Sequence, residues 1–230
     1  MKLFSDLLQL ILPIECIRCS ALGKILCDQC FGIVNSQVTV TSFSIVEREK
    51  LFTFKSCLPY DQISARIILG AKDRANENLE NLVIQILKIA RSHFPPNLVI
   101  VPIPSSSQAR RERGRDFTYD LARAVARTTG DHVAVSLKQV RRRKPQKSLT
   151  AQERLRNMAG ALTFDMNAPG ITAVRSDMRS QAKFLLLDDV VTTGATMREG
   201  IRALQASGAQ CIGGISAAFS PNWRATQPSH

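Results

Sequence analysis

"FLLLDDVVTTGAT", Phe184 to Thr196, is the stretch whose reading decides the fold. Four apolar residues run into two adjacent aspartates, Asp188 and Asp189, then two valines and a hydroxyl-rich turn around Gly194. A short apolar run reads as a buried strand. Ligands of an open α/β sheet bind beyond the carboxyl ends of such strands. Thr192, Thr193, Gly194, Ala195 and Thr196 would form the turn into a following helix, where unpaired N–H groups and the helix dipole favour an anion. Gly194 allows close backbone approach, and the threonine hydroxyls add donors. One aspartate would accept hydrogen bonds from vicinal hydroxyls, and both would influence a nearby Mg2+. A diol and a phosphate on one small molecule describe a sugar phosphate, and the stretch is shaped for ribose 5-phosphate. Thr196 and Glu199 also have capping-box spacing, which would start the helix at that threonine.

Working outward, strands alternate with helices, as in a parallel α/β sheet. Alternating patterns over 37–57 predict strands, possible partners in a hairpin. Residues 61–92 have helical spacing, interrupted near Gly70 and stopped by Pro95-Pro96. "NLVIVPIP" is a short buried strand. A helix is expected over 118–128 with Gly130 past its end, and "DHVAVSLKQV" supplies one strand or two. Residues 141–157 form a basic loop of lid-like length. "GALTFD" and "QCIGGIS" are further strands, the latter preceded by a helix over 197–207.

The chain has 230 residues, enough for one domain with a good core or a domain and a small appendage. Its 44% hydrophobic content argues against disorder. The net charge of +12 is concentrated: residues 108–156 hold 14 Lys or Arg against 5 Asp or Glu. Such an excess suits phosphate or nucleic acid, with a merely solvated basic face as the alternative. No apolar stretch reaches the roughly 18 residues a membrane-spanning helix needs. The opening "MKLFSDLLQLILPIEC" has an acidic residue in its apolar run and no small-residue cleavage site, so no signal peptide and a cytoplasmic location are expected. Leu3, Leu7, Leu8 and Ile11 share a helical face that suits packing better than membrane attachment.

"CIRCSALGKILCDQC" carries two C-x2-C pairs, Cys16 with Cys19 and Cys27 with Cys30, separated by seven residues. Two such pairs complete a tetrahedral zinc shell with no open position, hence a structural metal. The rival reading is a redox pair, but redox C-x2-C motifs usually come singly. Cys57 and Cys211 read as buried thiols. None of His93, His132 and His230 lies in a motif, which leaves no evident histidine base. No G-x4-G-K-[ST] occurs, which disfavours ATP hydrolysis.

"LLLDDVVTTGAT" resembles the phosphoribosyl-pyrophosphate (PRPP) loop of type I phosphoribosyltransferases. The four-cysteine knuckle, "VPIP" followed by "ARRERG", the basic "RRRKPQKSLTAQERLRNMAGAL" and the terminal loop occur in the order seen in the ComF family. That resemblance covers nearly the whole chain. It departs after Arg113-Gly114, where Arg115, Asp116 and Phe117 replace the Phe-Asn-Gln of many members. The resemblance implies an α/β type I phosphoribosyltransferase-like parallel sheet flanked by helices, with a small N-terminal four-cysteine zinc module. The expected divisions are 1–36 for a helix and the zinc module, 37–220 for the phosphoribosyltransferase-like domain, and 221–230 for a tail. It further implies PRPP binding with Mg2+, and a link to DNA uptake in natural competence, with single-stranded DNA and a helicase or channel protein as partners. A metabolic transferase acting on a nucleobase or amine is the alternative. In either case Asp188 and Asp189 would serve catalysis. Ser105 and Ser106 would offer donors to pyrophosphate, and Arg111 and Arg113, or Arg143, Lys144 and Lys147, would supply positive charge. The oligomeric state is left open.

Overall fold

The computed structural model describes residues 14–73, 76–140, 150–168, 170–171 and 182–220. The apolar face of Leu3 to Ile11, the basic run 141–147 and the tail 221–230 lie outside these residues.

After the cysteine knuckle, α1 (Asp28–Ser36) leads to a hairpin of β1 (Thr41–Glu47) and β2 (Lys50–Pro59). Its two-residue turn, Arg48-Glu49, has φ of 48° and 63°, the doubly left-handed conformation that matches strand twist. Helices α2 (Gln62–Asp73) and α3 (Glu77–Arg91) precede the short strand β3 (Val99–Pro102). Then come α4 (Ser107–Arg113), α5 (Phe117–Thr129), β4 (His132–Val133), β5 (Leu137–Gln139), α6 (Ala151–Met158) and β6 (Leu162–Phe164). The described residues end with β7 (Lys183–Val191), α7 (Ala195–Ala206) and β8 (Gln210–Phe219).

The main sheet has the order β1-β2-β8-β7-β3-β4, parallel except for the β1–β2 hairpin. β5 and β6 pair separately and antiparallel. β7 is central because its run Phe184 to Leu187 is buried on both faces, the composition an interior parallel strand requires. Phe184 and Leu186 meet Met197, Ile201 and Leu204 of α7 with Leu162 of β6 on one face. Leu185 and Leu187 meet Ile67 and Ile68 of α2, Ile86 of α3 and Leu121 of α5 on the other.

Several boundaries differ from those expected. α2 runs straight through Gly70, and the interruption falls after Asp73. A Cβ on Gly70 would lie 2.5 Å from Leu79 Cδ1, so this glycine serves close packing of α2 on α3 and does not end a helix. Residues 151–158 of the expected basic loop are helix α6, started by a capping box in which Thr150 and Glu153 satisfy each other's backbone N–H groups. The capping box expected at Thr196 and Glu199 does not form. α7 begins two residues earlier, at Ala195 with Gly194 as its N-cap, and Glu199 is buried against Arg202. Helices α1 and α4, absent from the sequence reading, are both short. Gly130 closes α5 in the left-handed conformation as expected.

Candidate functional site

β7 delivers the acid pair and α7 the anion-binding turn. The strand continues past the aspartates to Val191, so the acids sit within its last residues and not beyond its end. Residues 188–197 line one continuous cavity of about 190 Å³, which brings together Asp188, Asp189, Thr192, Thr193, Gly194, Ala195 and Thr196. Gly194 has φ 70° and ψ 0°, a conformation that turns the chain from strand into helix and costs a side-chain-bearing residue energy. The bond from Arg198 N–H to Gly194 carbonyl opens the helix, so the amides before it have no acceptor within the helix, the arrangement that suits an anion. Thr193 Oγ1 lies 3.4 Å from Ala195 N and steadies the turn.

The two acids are wired differently. Asp189 is 8% exposed; its Oδ1 accepts Val190 N–H at 2.9 Å, and its Oδ2 receives the ammonium of Lys72. Asp188 Oδ1 accepts Asp189 N–H at 2.9 Å. Burial, then the adjacent Asp189 charge, hold Asp188 well above the usual carboxylate range, while Lys72 works in the opposite direction. For Lys72 itself burial acts to lower the ammonium pKa, and the attraction of Asp189 overrides it and raises it.

β3 leaves the sheet beside this cavity, since Pro102 pairs with Leu187 and Ile103 N–H donates to Leu187 carbonyl at 2.8 Å. The residues that follow are committed to structure. Ser105 Oγ donates to Asp116 Oδ1 at 3.1 Å, and Ser106 caps α4 by accepting Ala109 N–H at 3.1 Å. Arg113 pairs with Asp73 at 3.2 Å, and Arg111 is exposed. None of these four lines the cavity. Arg110 pairs with Asp116, and Arg115 with Glu80 and Asp120, so most of the basic cluster at 110–115 is internally neutralised. Lys72 is the site neighbour that the sequence reading missed. That reading interrupts its helix near Gly70, and no motif marks a lysine that reaches the site across 117 residues of sequence.

The four knuckle cysteines form a separate candidate metal centre. Their sulfurs all lie within 4.8 Å of one another, and Cys19 Sγ is 3.7 Å from Cys27 Sγ. Zn–S bonds of about 2.3 Å in a tetrahedron put sulfurs about 3.8 Å apart, so the cluster fits zinc. A tight turn with Ser20 and Gly23 at positive φ presents the first pair, and the start of α1 presents the second. Burial pushes the Cys16 thiol up, but N–H groups of Cys27, Cys19 and Arg18 outweigh it and bring it down to about 6. Burial and the neighbouring sulfurs push Cys30 up to about 12. Four thiolates so close together call for a cation to hold them all ionised. The remaining cysteines, Cys57 and Cys211, are buried, as expected.

A family described as the phosphoribosyl transferase domain matches residues 75–222. The chain belongs to that family. Its solved structural neighbours include adenine phosphoribosyltransferase from Leishmania donovani, at 13% identity and TM-score 0.40, covering 84% of this chain and 69% of that one. Orotate phosphoribosyltransferase from Aeropyrum pernix aligns at 11% identity and TM-score 0.35, over 82% and 80% of the two chains. Adenine phosphoribosyltransferase from Trypanosoma brucei, in complex with AMP, pyrophosphate and ribose-5-phosphate, aligns at 9% and 0.40, over 77% and 86%. No curated protein matches the chain. No helix among the described residues is long and apolar enough to cross a membrane.

Proposed function

We propose that the chain binds PRPP in the cavity of residues 188–197 and transfers its ribose 5-phosphate to a nitrogen nucleophile. The observation that carries this reading is the cavity itself, where two carboxylates and a glycine-capped helix start lie on ten consecutive residues. The turn from Thr192 to Thr196 would hold the 5-phosphate through backbone N–H groups and hydroxyls. Asp188 and Asp189 would take the ribose hydroxyls and orient C1 toward the acceptor. In the transfer, the acceptor nitrogen forms a bond to C1 as the bond from C1 to pyrophosphate oxygen breaks. The protein's part is to position the reactants and to stabilise an oxocarbenium-like transition state. Carboxylate oxygens are suitable donors for Mg2+, which would add positive charge beside the departing pyrophosphate.

The zinc reading places the four-cysteine cluster in a structural role. The knuckle is tied to the body of the protein by Arg66 Nη1, which donates to Ile17 carbonyl at 2.9 Å. On this reading 1–36 and 37–220 are the functional divisions of the chain.

The finer reading, that the protein serves DNA uptake with single-stranded DNA and a helicase or channel protein, rests on the ComF-like order of motifs and on the basic run at 141–147. A metabolic transferase acting on a nucleobase or amine is the alternative. The internal pairing of Arg110, Arg113 and Arg115 shifts weight toward the phosphoribosyl site. Calorimetric titration with PRPP and Mg2+, followed by a screen of nucleobases for pyrophosphate release, tests the reading. Binding that Asp188→Asn weakens is expected. No binding at millimolar PRPP would overturn it.

A further inference from the structure

The four knuckle sulfurs are not equivalent. Cys16 and Cys30 are each 2% exposed, whereas Cys19 is exposed and Cys27 half-buried. The inner two are held by donors of the fold. Cys27 N–H lies 3.5 Å from Cys16 Sγ, and Arg18 Nη1 lies 3.9 Å from Cys30 Sγ. Cys16 is fixed again by its backbone, whose N–H donates to Ala21 carbonyl at 2.8 Å and whose carbonyl accepts Ser20 N–H at 2.9 Å. Cys30 lies within α1.

The outer two stand where the chain turns. Cys19 precedes Ser20, which has φ 59°, and Cys27 is the N-cap of α1 with no side-chain cap bond. Their sulfurs, one from each C-x2-C pair, are 3.7 Å apart. A disulfide places its sulfurs about 2.05 Å apart, so an approach of about 1.7 Å joins them. Cys57 and Cys211 are buried, which leaves Cys19 as the one exposed thiol of the chain's six. An oxidant in solution therefore meets Cys19 first.

We propose that Cys19 and Cys27 are a peroxide-oxidisable pair whose disulfide dismantles the four-sulfur metal site. The metal half rests on the zinc reading above; the pairing of the two thiols does not. Cys19 thiolate attacks one oxygen of hydrogen peroxide, the O–O bond breaks, and hydroxide leaves a sulfenic acid on Cys19. Cys27 thiolate then attacks Cys19 Sγ, the S–S bond forms as the S–O bond breaks, and a second hydroxide leaves. Two thiolates give up two electrons, and one peroxide takes them to become two hydroxides. Cys16 and Cys30 alone remain as ligands, and a structural zinc needs four.

The test treats the zinc-loaded full chain with hydrogen peroxide and has two readouts. One is zinc released to a chromogenic chelator. The other is disulfide mapping by mass spectrometry after alkylation of the remaining thiols. About one zinc should leave per disulfide formed, with Cys19 linked to Cys27 and with Cys16 and Cys30 alkylated. Dithiothreitol with added zinc should restore the bound metal. The same mapping on chelator-stripped protein separates the thiol pair from the metal. There Cys16→Ala should still give the link between residues 19 and 27, and Cys19→Ala should lose it. A link inside either C-x2-C pair, or a scrambled mixture, overturns the proposal. So does Cys19 carried on to sulfinic acid with Cys27 still alkylated, or zinc kept with all four thiols intact under excess peroxide. A wild type that never holds zinc yet forms the Cys19–Cys27 link would refute the metal reading and uphold the thiol pair.

Discussion

Arg91 and Asp131 form a two-bond ion pair inside the protein, with Nε–Oδ2 and Nη2–Oδ1 both 2.6 Å and side-chain exposures of 3% and 0%. Asp131 also accepts Leu98 N–H at 2.9 Å, and Arg91 Nη1 donates to Phe94 carbonyl at 3.0 Å. The pair thus joins the end of α3 to the entry of β3 and to the turn after α5. Removing one partner strands the other charge in the interior. Asp131→Ala should lower unfolding free energy by about 3–5 kcal/mol, read by urea denaturation. A loss below about 1 kcal/mol would show that water reaches the guanidinium.

The thiol cluster predicts about one zinc per purified chain, by analogy with four-sulfur structural sites. Cys16→Ser and Cys27→Ser should each lose the metal and loosen the segment around α1, seen as faster amide exchange there. The sheet itself should keep its protection, because its core includes none of the four cysteines. Zinc-free, fully protected protein with intact thiols would contradict the structural-metal reading.

Gly194→Val is expected to abolish PRPP binding with only a modest loss of stability. The left-handed backbone at φ 70° would cost a residue with a side chain about 1–2 kcal/mol. The added methyls would also occupy the path by which a phosphate approaches the turn. Calorimetry and thermal melting on the same sample separate the two effects. Retained affinity would move the phosphate away from this turn.

The fold was legible where one pattern had one physical meaning. The doubly buried run Phe184 to Leu187 could only be an interior strand, and Gly130 could only follow a helix end. Legibility failed where a residue type serves two purposes. Gly70 reads as a breaker in sequence, but it is a contact point between helices. Thr196 and Glu199 have capping-box spacing, but Gly194 already starts the helix and the buried Glu199 is held by Arg202. At the site, the contiguous residues 188–197 were readable because they lie on one strand–turn–helix. Lys72 was not, because its role depends on where α2 docks. The serines after β3 follow a strand that leaves the sheet beside the site, but their hydroxyls turn to Asp116 and to the α4 cap.

The basic run at 141–147 predicts single-stranded DNA affinity that falls steeply with salt. Each phosphate contact contributes a log–log slope of about −0.7. Replacing Arg141, Arg142 and Arg143 with Ala should flatten that slope by roughly two units while PRPP affinity holds. The opposite result, lost PRPP affinity with unchanged DNA binding, would assign the run to pyrophosphate. Measuring both affinities on the one variant at two salt concentrations decides between them.

Glu199 gives a pH prediction with a definite sign. Its side chain is 3% exposed and accepts Leu162 N–H at 2.9 Å and Arg202 Nε and Nη2 at 2.8 Å each. Burial acts to raise its pKa, but the Arg202 hydrogen bonds and backbone donors prevail and lower it below the ordinary 4.5. A carboxylate depressed by folding adds stability that is fully present above the unfolded pKa and is lost as pH falls through the folded one. Wild type should therefore be more stable than Glu199→Gln at pH 7, and the gap should narrow from about pH 4.5 downward. Arg202 also donates to Leu162 carbonyl at 2.7 Å, so the pair anchors β6 on α7. Denaturation of both proteins from about pH 7 to about pH 3 reads the effect directly. A gap that stayed constant across that range would mean that Glu199 acts through shape and hydrogen bonding alone, with no contribution from its charge.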